Sequence, residues 1–175
     1  MPKKIRVSAK VRTEVENRLR RIARAGSVFV DGELFKGIVH DPAVFTGDDY
    51  QVDETKFIPV KQTLFKLKRI EEGDHSAQVL RRIKVKDKDG VEKDVVAIVM
   101  PIDIHLKDVK SVHPISPAMQ EAFDGRMGVE EQELRGVPIL SVYAPIRDSF
   151  EDVVGIIEVF GSLAPDKWAV DTLKY

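Results

Sequence analysis

ISPAMQEAFDGRMGVEEQELRGVPILSVYAPIRDSFEDVVGIIEVF, residues Ile115 to Phe160, is the stretch that decides the fold. Ser116 offers a helix N-cap, and Pro117 takes the first helical position, where a missing N–H matters least. Gly125 closes that short helix. Three strands are expected after it, near Val129–Leu134, Val137–Ile146 and Val153–Phe160, the last two joined by the polar turn around Asp148. A helix followed by strands that return through short turns predicts an antiparallel sheet with a helix crossing it.

Working outward toward the N-terminus, Asp94 to Ile102 is apolar on both faces, which predicts a central strand covered on both sides. Gln78 to Val85 pairs with it through the turn Lys86-Asp87-Lys88-Asp89-Gly90, and Pro101 marks where that pairing weakens. Residues 103–115 read as a long connection. Phe57, Val60, Leu64 and Leu67 share one face of a helix whose first turn holds Pro59. Asp31-Gly32 between apolar residues is a hairpin signal, yet Phe35, Ile38 and Val39 continue a helical spacing, and helix is the preferred reading. Asp41-Pro42 breaks it. Val11, Val15, Leu19 and Ile22 form a narrow stripe on a helix capped by Ser8. So narrow a seam suggests helix pairing, and these four residues are assigned to homodimerisation. The whole is α+β, with about five antiparallel strands, a long N-terminal helix and crossing helices.

Composition narrows the function. The chain has 175 residues, 43% hydrophobic and 33% charged, enough for one domain with a core. The longest apolar runs fall far short of the roughly 20 residues of a membrane helix. Cysteine is absent, which removes disulfides and thiolate chemistry. Residues 1–25 carry nine Lys/Arg against Glu14 and Glu16. This basic helix is set apart as a signalling arm, with the domain proper at 26–163 and a tail at 164–175, one more candidate helix. Nucleic acid is a poor partner for it, because no aromatic residue is interleaved with the charge. The chain opens Met-Pro-Lys-Lys with no secretory leader, and a free-standing cytoplasmic protein is expected.

Ala122-Phe123-Asp124-Gly125, Val142-Tyr143-Ala144-Pro145-Ile146-Arg147-Asp148 and Val153-Val154-Gly155-Ile156-Ile157 resemble, in order and spacing, the closing half of the single Cache domain, a PAS-like sensor of bacterial receptors. The resemblance runs from about residue 10 to residue 161 and is carried in its first half by element order alone. It implies a non-catalytic module that binds a small ligand between the sheet and the crossing segment and signals through its N-terminal helix to a partner protein. Members that bind amino acids carry an Arg-x-x-Trp-Tyr-like cluster, absent before residue 130, and a last-strand aspartate, near whose position Phe160 stands. Amino-acid sensing of that kind is not implied.

The candidate ligand residues are Tyr143, Met100, Arg81, Arg126, His105, Tyr50 and Phe57. Tyr143 supplies a ring and a hydroxyl to a cavity, Met100 an adaptable wall. Arg81 or Arg126 offers a planar fork to a short carboxylate, His105 could serve in their place, and Tyr50 and Phe57 close the site from above. Each has an ordinary alternative: a core tyrosine, a gap-filling methionine, an edge arginine reaching solvent. Asp103, His105 and His113 form a weaker set that could hold a metal, and none is assigned. No phosphate loop, nucleophile elbow or cofactor motif occurs, so neither enzyme nor cofactor is expected. The alternative function is a ligand-free PAS-like dimerisation and docking scaffold.

Overall fold

The computed structural model describes residues 7–38, 54–71, 74–101, 112–134 and 136–164. Ten elements follow one another: α1 (Ala9–Phe29), α2 (Gly32–Gly37), α3 (Glu54–Leu67), β1 (His75–Lys86), β2 (Glu92–Pro101), β3 (Val112–Pro114), α4 (Pro117–Phe123), β4 (Gly128–Leu134), β5 (Val137–Arg147) and β6 (Val153–Ser162). The six strands form one sheet in the order β3-β2-β1-β6-β5-β4, every pair antiparallel. The first and last long strands thus lie side by side at its centre. This is the expected α+β, PAS-like architecture with one strand more. That strand, β3, lies in what read as a connection: three exposed residues pairing Val95–Ala97 carry no periodicity to announce them.

Both helix caps read from the sequence are made. The Ser8 Oγ accepts from the Val11 amide at 3.2 Å, and the Ser116 Oγ from the Met119 amide at 3.2 Å. Asp31-Gly32 is no hairpin: the Asp31 carboxylate caps α2 by accepting from the amides of Glu33 and Leu34 at 2.9 and 3.0 Å. The helix holding Pro59 begins at Glu54, so the proline sits past the first turn rather than in it. The 86–90 turn is as read, with Asp87 Oδ1 accepting from Asp89 and Val91. Asp41-Pro42, the candidate C-terminal helix and most of the 103–115 connection lie outside the described residues.

The sheet has two unlike faces. α1, α2 and α3 cover one, and the larger core lies there, built on Leu19, Ile22, Phe35, Leu64, Val142 and Val159. α4 lies on the other, over a smaller core of Leu80, Val96, Ile98, Ala122, Tyr143 and Ile156.

The α1 stripe needs correction. Val15, Leu19 and Ile22 are buried in the chain's own core, with Val11 partly buried against it. A helical stripe shows that a face is covered, not by what; here the cover is β5 and β6, so the seam is not free to pair with a second copy. From Ala9 onward the basic segment does not project as an arm, for α1 runs unbroken to Phe29 through the division drawn at residue 25. Two of its charges turn to the body: Arg12 reaches Glu131 at 2.5 Å and Arg21 reaches Glu71 at 2.6 Å. Such exposed pairs are worth about 0–1 kcal/mol each.

Candidate functional site

Side chains alternate between sheet faces, so Glu158 of β6 points away from α1 while its neighbours Ile157 and Val159 pack beneath it. Register then assembles a row across three strands: Gln78 of β1 and Tyr143 of β5 both stand directly opposite Glu158. Ser141, two residues before Tyr143, shares their face, as do Glu130 and Gln132 of β4.

The result is a hydrogen-bonded polar cluster centred on one carboxylate. Glu158 Oε2 accepts from Gln78 Nε2 at 2.5 Å. Its Oε1 accepts from Ser141 Oγ at 2.6 Å and lies 3.2 Å from the Tyr143 hydroxyl. That hydroxyl also lies 2.7 Å from Glu130 Oε1 and accepts from Gln132 Nε2 at 2.7 Å. Glu158 is only 5% exposed, Tyr143 and Ser141 not at all, while Glu130 is half-buried and Gln132 exposed. A polar track therefore runs from the β4 edge of the sheet to a buried carboxylate at its centre.

The electrostatics are one-sided. Burial pushes the Glu158 carboxyl above its ordinary value and Glu130 pushes the same way, against the lowering effect of its three donors. Burial, then the charge of Glu158, drives the Tyr143 hydroxyl far up, so it is never a phenolate here. No lysine, arginine or histidine among the described residues bonds to any member of the cluster. Arg82, on the same face of β1, is spent on Gln120 at 2.8 Å and on the ring of Phe123. Within the cluster one buried polar atom has no partner, Gln78 Oε1; elsewhere among the described residues the same holds for Arg18 Nε.

Of the residues chosen from the sequence, only Tyr143 belongs to this cluster. Met100 lies in the core on the helix-covered face, and Phe57 packs against that core. Arg81 also points that way. Its guanidinium donates to the carbonyls of Ile38, at 2.6 Å, and Phe35, and stacks 4.7 Å from the Phe35 ring. It closes the end of α2 and has no fork left for a carboxylate. Arg81→Met, which keeps the stem and removes the donors, is expected to cost about 1–3 kcal/mol in urea unfolding. Arg126 is exposed, 4.0 Å from Asp124. His105 and Tyr50 lie outside the described residues, as does Asp103 of the metal set; His113 is exposed on β3. Among the described residues no three metal-ligating side chains converge.

Glu158 was the residue to find. It is the one charge inside the apolar run Val153–Phe160, and a lone ionisable group in a central strand is an anomaly that alternation alone exposes. A separate groove of about 610 Å³ opens on the helix side, lined by Val11, Glu14, Arg18, Arg21 and Asp74 among others. Its charges are of both signs, and it holds none of the candidate ligand residues.

No protein-family profile matches the sequence, and no curated protein matches it. Among solved structures, the chain is similar to the periplasmic domain of RsbU from Chlamydia trachomatis, at 9% identity and a TM-score of 0.39, over 88% of this chain and 52% of that one. It is also similar to the periplasmic sensory domain of the chemoreceptor Tlp1 from Campylobacter jejuni, at 10% identity and a TM-score of 0.35, over 86% and 54%. The chain spans about half the length of each. Both are periplasmic domains, and on that finding the cytoplasmic placement is corrected. Neither the residues with which the sequence opens nor the absence of cysteine fixes a compartment.

Proposed function

We infer that this domain is a non-catalytic sensory module whose ligand, a small organic molecule, is held on the α4 side of the sheet. The buried carboxylate of Glu158, ringed by neutral donors and reached by a polar track, is the observation that carries the reading. Buried polar clusters are costly unless every member is satisfied, and an unsatisfied member points to a missing partner. The ligand pictured from the sequence, a short carboxylate, suits this face poorly, because no described lysine, arginine or histidine bonds to the cluster to receive it.

A route for the signal runs through the sheet. Glu158 is flanked by Ile157, whose Cδ1 rests where Gly26 of α1 lacks a side chain; a Cβ there would also meet Leu67 Cδ1 at 3.0 Å. A ligand that shifts β6 by a fraction of an ångström therefore presses directly on α1. It can change the balance of two helix positions only by its difference in affinity for them.

Thermal-shift screening of organic acids, amines and purines tests the reading. A compound present at about 100 times its Kd stabilises by about 2.7 kcal/mol, which raises Tm by roughly 5–10 °C in a chain of this size. Tyr143→Phe and Glu158→Gln are expected to abolish that rise. If no compound raises Tm, the ligand is abandoned in favour of the scaffold reading. That alternative has its own support: every member of the cluster except Gln78 Oε1 is already partnered within the chain.

A further inference from the structure

We propose that the outer face of α1 and α3 docks on an anionic phospholipid bilayer, with Phe29 and Phe65 entering the headgroup layer and the surrounding lysines and arginines meeting its phosphates. The ligand reading can fail without touching this surface.

Sequence and packing build it together. Arg21 of α1 bonds Glu71, just past α3, at 2.6 Å, and Gly26 stands against Leu67, so the two helices lie side by side in opposite directions. No acidic residue occurs from 17 to 30 or from 55 to 70, whereas those two stretches carry nine lysines and arginines. Glu16 and Glu71, at their margins, are already spent: Glu16 on Arg12 and Arg20, Glu71 on Arg21. Arg24, Lys61, Lys66 and Arg69 have no ion-pair partner among the described residues. The face is therefore positive without compensation.

Apolar side chains stand among these cations. Of the eight large hydrophobic residues exposed among those described, five lie here: Val28 and Phe29 on α1, and Ile58, Phe65 and Ile70 on or just after α3. Phe29 is 65% exposed and Phe65 43%, on helices whose other sides fill the larger core. Ile58, Lys61 and Phe65 follow at spacings of three and four, one stripe outside the buried Val60, Leu64 and Leu67. The Lys61 ammonium lies 5.6 Å from the Phe57 ring and 6.0 Å from that of Phe65, which holds its charge beside the exposed aromatic.

Charge of one sign interleaved with exposed aliphatic and aromatic groups suits a membrane surface. The apolar groups reach the acyl boundary while long basic side chains extend back to phosphate. No described helix is long and apolar enough to cross a bilayer, so the contact is peripheral. A second copy is the wrong occupant, since a symmetric pair would set this face against its own charge. An acidic protein would answer the charge. Yet the apolar side chains stand on two helical ridges rather than lining a hollow, and a fluid surface closes around ridges without a shaped counterpart.

Sedimentation with vesicles of phosphatidylcholine, alone or mixed equally with phosphatidylglycerol, tests the surface. The chain is expected to bind the mixed vesicles only, and to release as salt approaches about 1 M, where the screening length falls to about 3 Å. Lys66→Gln, Arg69→Gln and Phe65→Ser should each weaken binding about fivefold. Val91→Ser, an exposed apolar residue at the turn between β1 and β2, should leave it unchanged. Phe65→Trp adds an indole to Trp168. Relative to the parent chain, its emission should move to the blue on mixed vesicles. Equal binding to phosphatidylcholine alone, no binding to either vesicle, or equal losses from Val91→Ser and Phe65→Ser overturns the proposal. Binding to soluble polyglutamate as tight as to vesicles, with no blue shift, assigns the face to an acidic protein and overturns it as well.

Discussion

Glu158→Gln is expected to stabilise the ligand-free domain at neutral pH and to erase a loss of stability that the unmodified chain suffers as pH rises. Burial holds the Glu158 carboxyl above its ordinary 4.5 in the folded state, whereas in the unfolded chain it ionises near that value. Between the two pKa values the unfolded state has released its proton and the native state has not. Stability from this group is thus complete below about pH 4.5 and falls by about 1.4 kcal/mol per unit as pH climbs toward the folded value. Glutamine carries no proton to lose. Its amide can donate to Gln78 once that side chain turns over, which also gives Gln78 Oε1 its missing hydrogen. Acids whose pKa is lowered by partners act in the opposite sense: Asp148 by the bond from Lys36, Glu16 by the bond from Arg20. Their stability is present above their unfolded pKa and lost as pH falls, and they are common to both proteins, so the difference isolates Glu158. Urea unfolding of the two chains at several pH values reads it. Parallel curves would mean that Glu158 is ionised in the folded state at neutral pH.

What could be read in advance was whatever local chemistry dictates. Ser8, Ser116 with Pro117, and the Asp87–Gly90 turn each satisfy backbone groups within a few residues, so their sequence pattern is their structure. The long strands β5 and β6 announced themselves as apolar runs because both their faces are covered. Long-range facts were harder. The stripe of Val15, Leu19 and Ile22 says only that something apolar lies over it, and a sheet and a partner helix leave the same mark. The bulge between Val79 and Leu80 changes which residues share a face, so Met100 and Tyr143, both plausible cavity linings, lie on opposite sides. Arg81 was legible as inward-pointing, but its partners are backbone carbonyls 43 and 46 residues away. Of the cluster, Tyr143 was found by its hydroxyl and Glu158 was there to be found. Gln78 and Ser141 were ordinary polar residues until register set them around a carboxylate. Glu130 and Gln132 were hidden in the run Glu130–Glu133, which is polar at every position.

Gly32→Ala is expected to be among the most damaging single-methyl changes this chain can carry, although it would improve helix propensity on paper. Gly32 is the first residue of α2, and a Cβ there would overlap the carbonyl oxygen of Arg147 and lie 2.9 Å from the amide nitrogen of Asp148. Both obstacles are backbone, at the point where β5 leaves the sheet for its hairpin with β6. Neither can rotate away as a side chain would. Relief requires α2 to lift from the sheet, and lifting it strips Phe35 from the core, the Asp31 cap from its place and the Lys36–Asp148 pair at 2.9 Å from its geometry. Overpacking against a rigid wall costs about 1–3 kcal/mol, and losing buried aromatic contacts adds to it, so about 3 kcal/mol or more is expected. Gly37→Ala, at the other end of the same six-residue helix, supplies the control. A Cβ there would meet only the Lys56 side chain, at 2.7 Å from its Cδ, the end of a flexible chain that can move. That variant should fall within about 0.5 kcal/mol of the parent. Chemical denaturation of the pair decides the matter. Equal, small effects would mean that α2 does not sit on the end of β5, and the contact joining the helical layer to the β5–β6 hairpin would have to be redrawn.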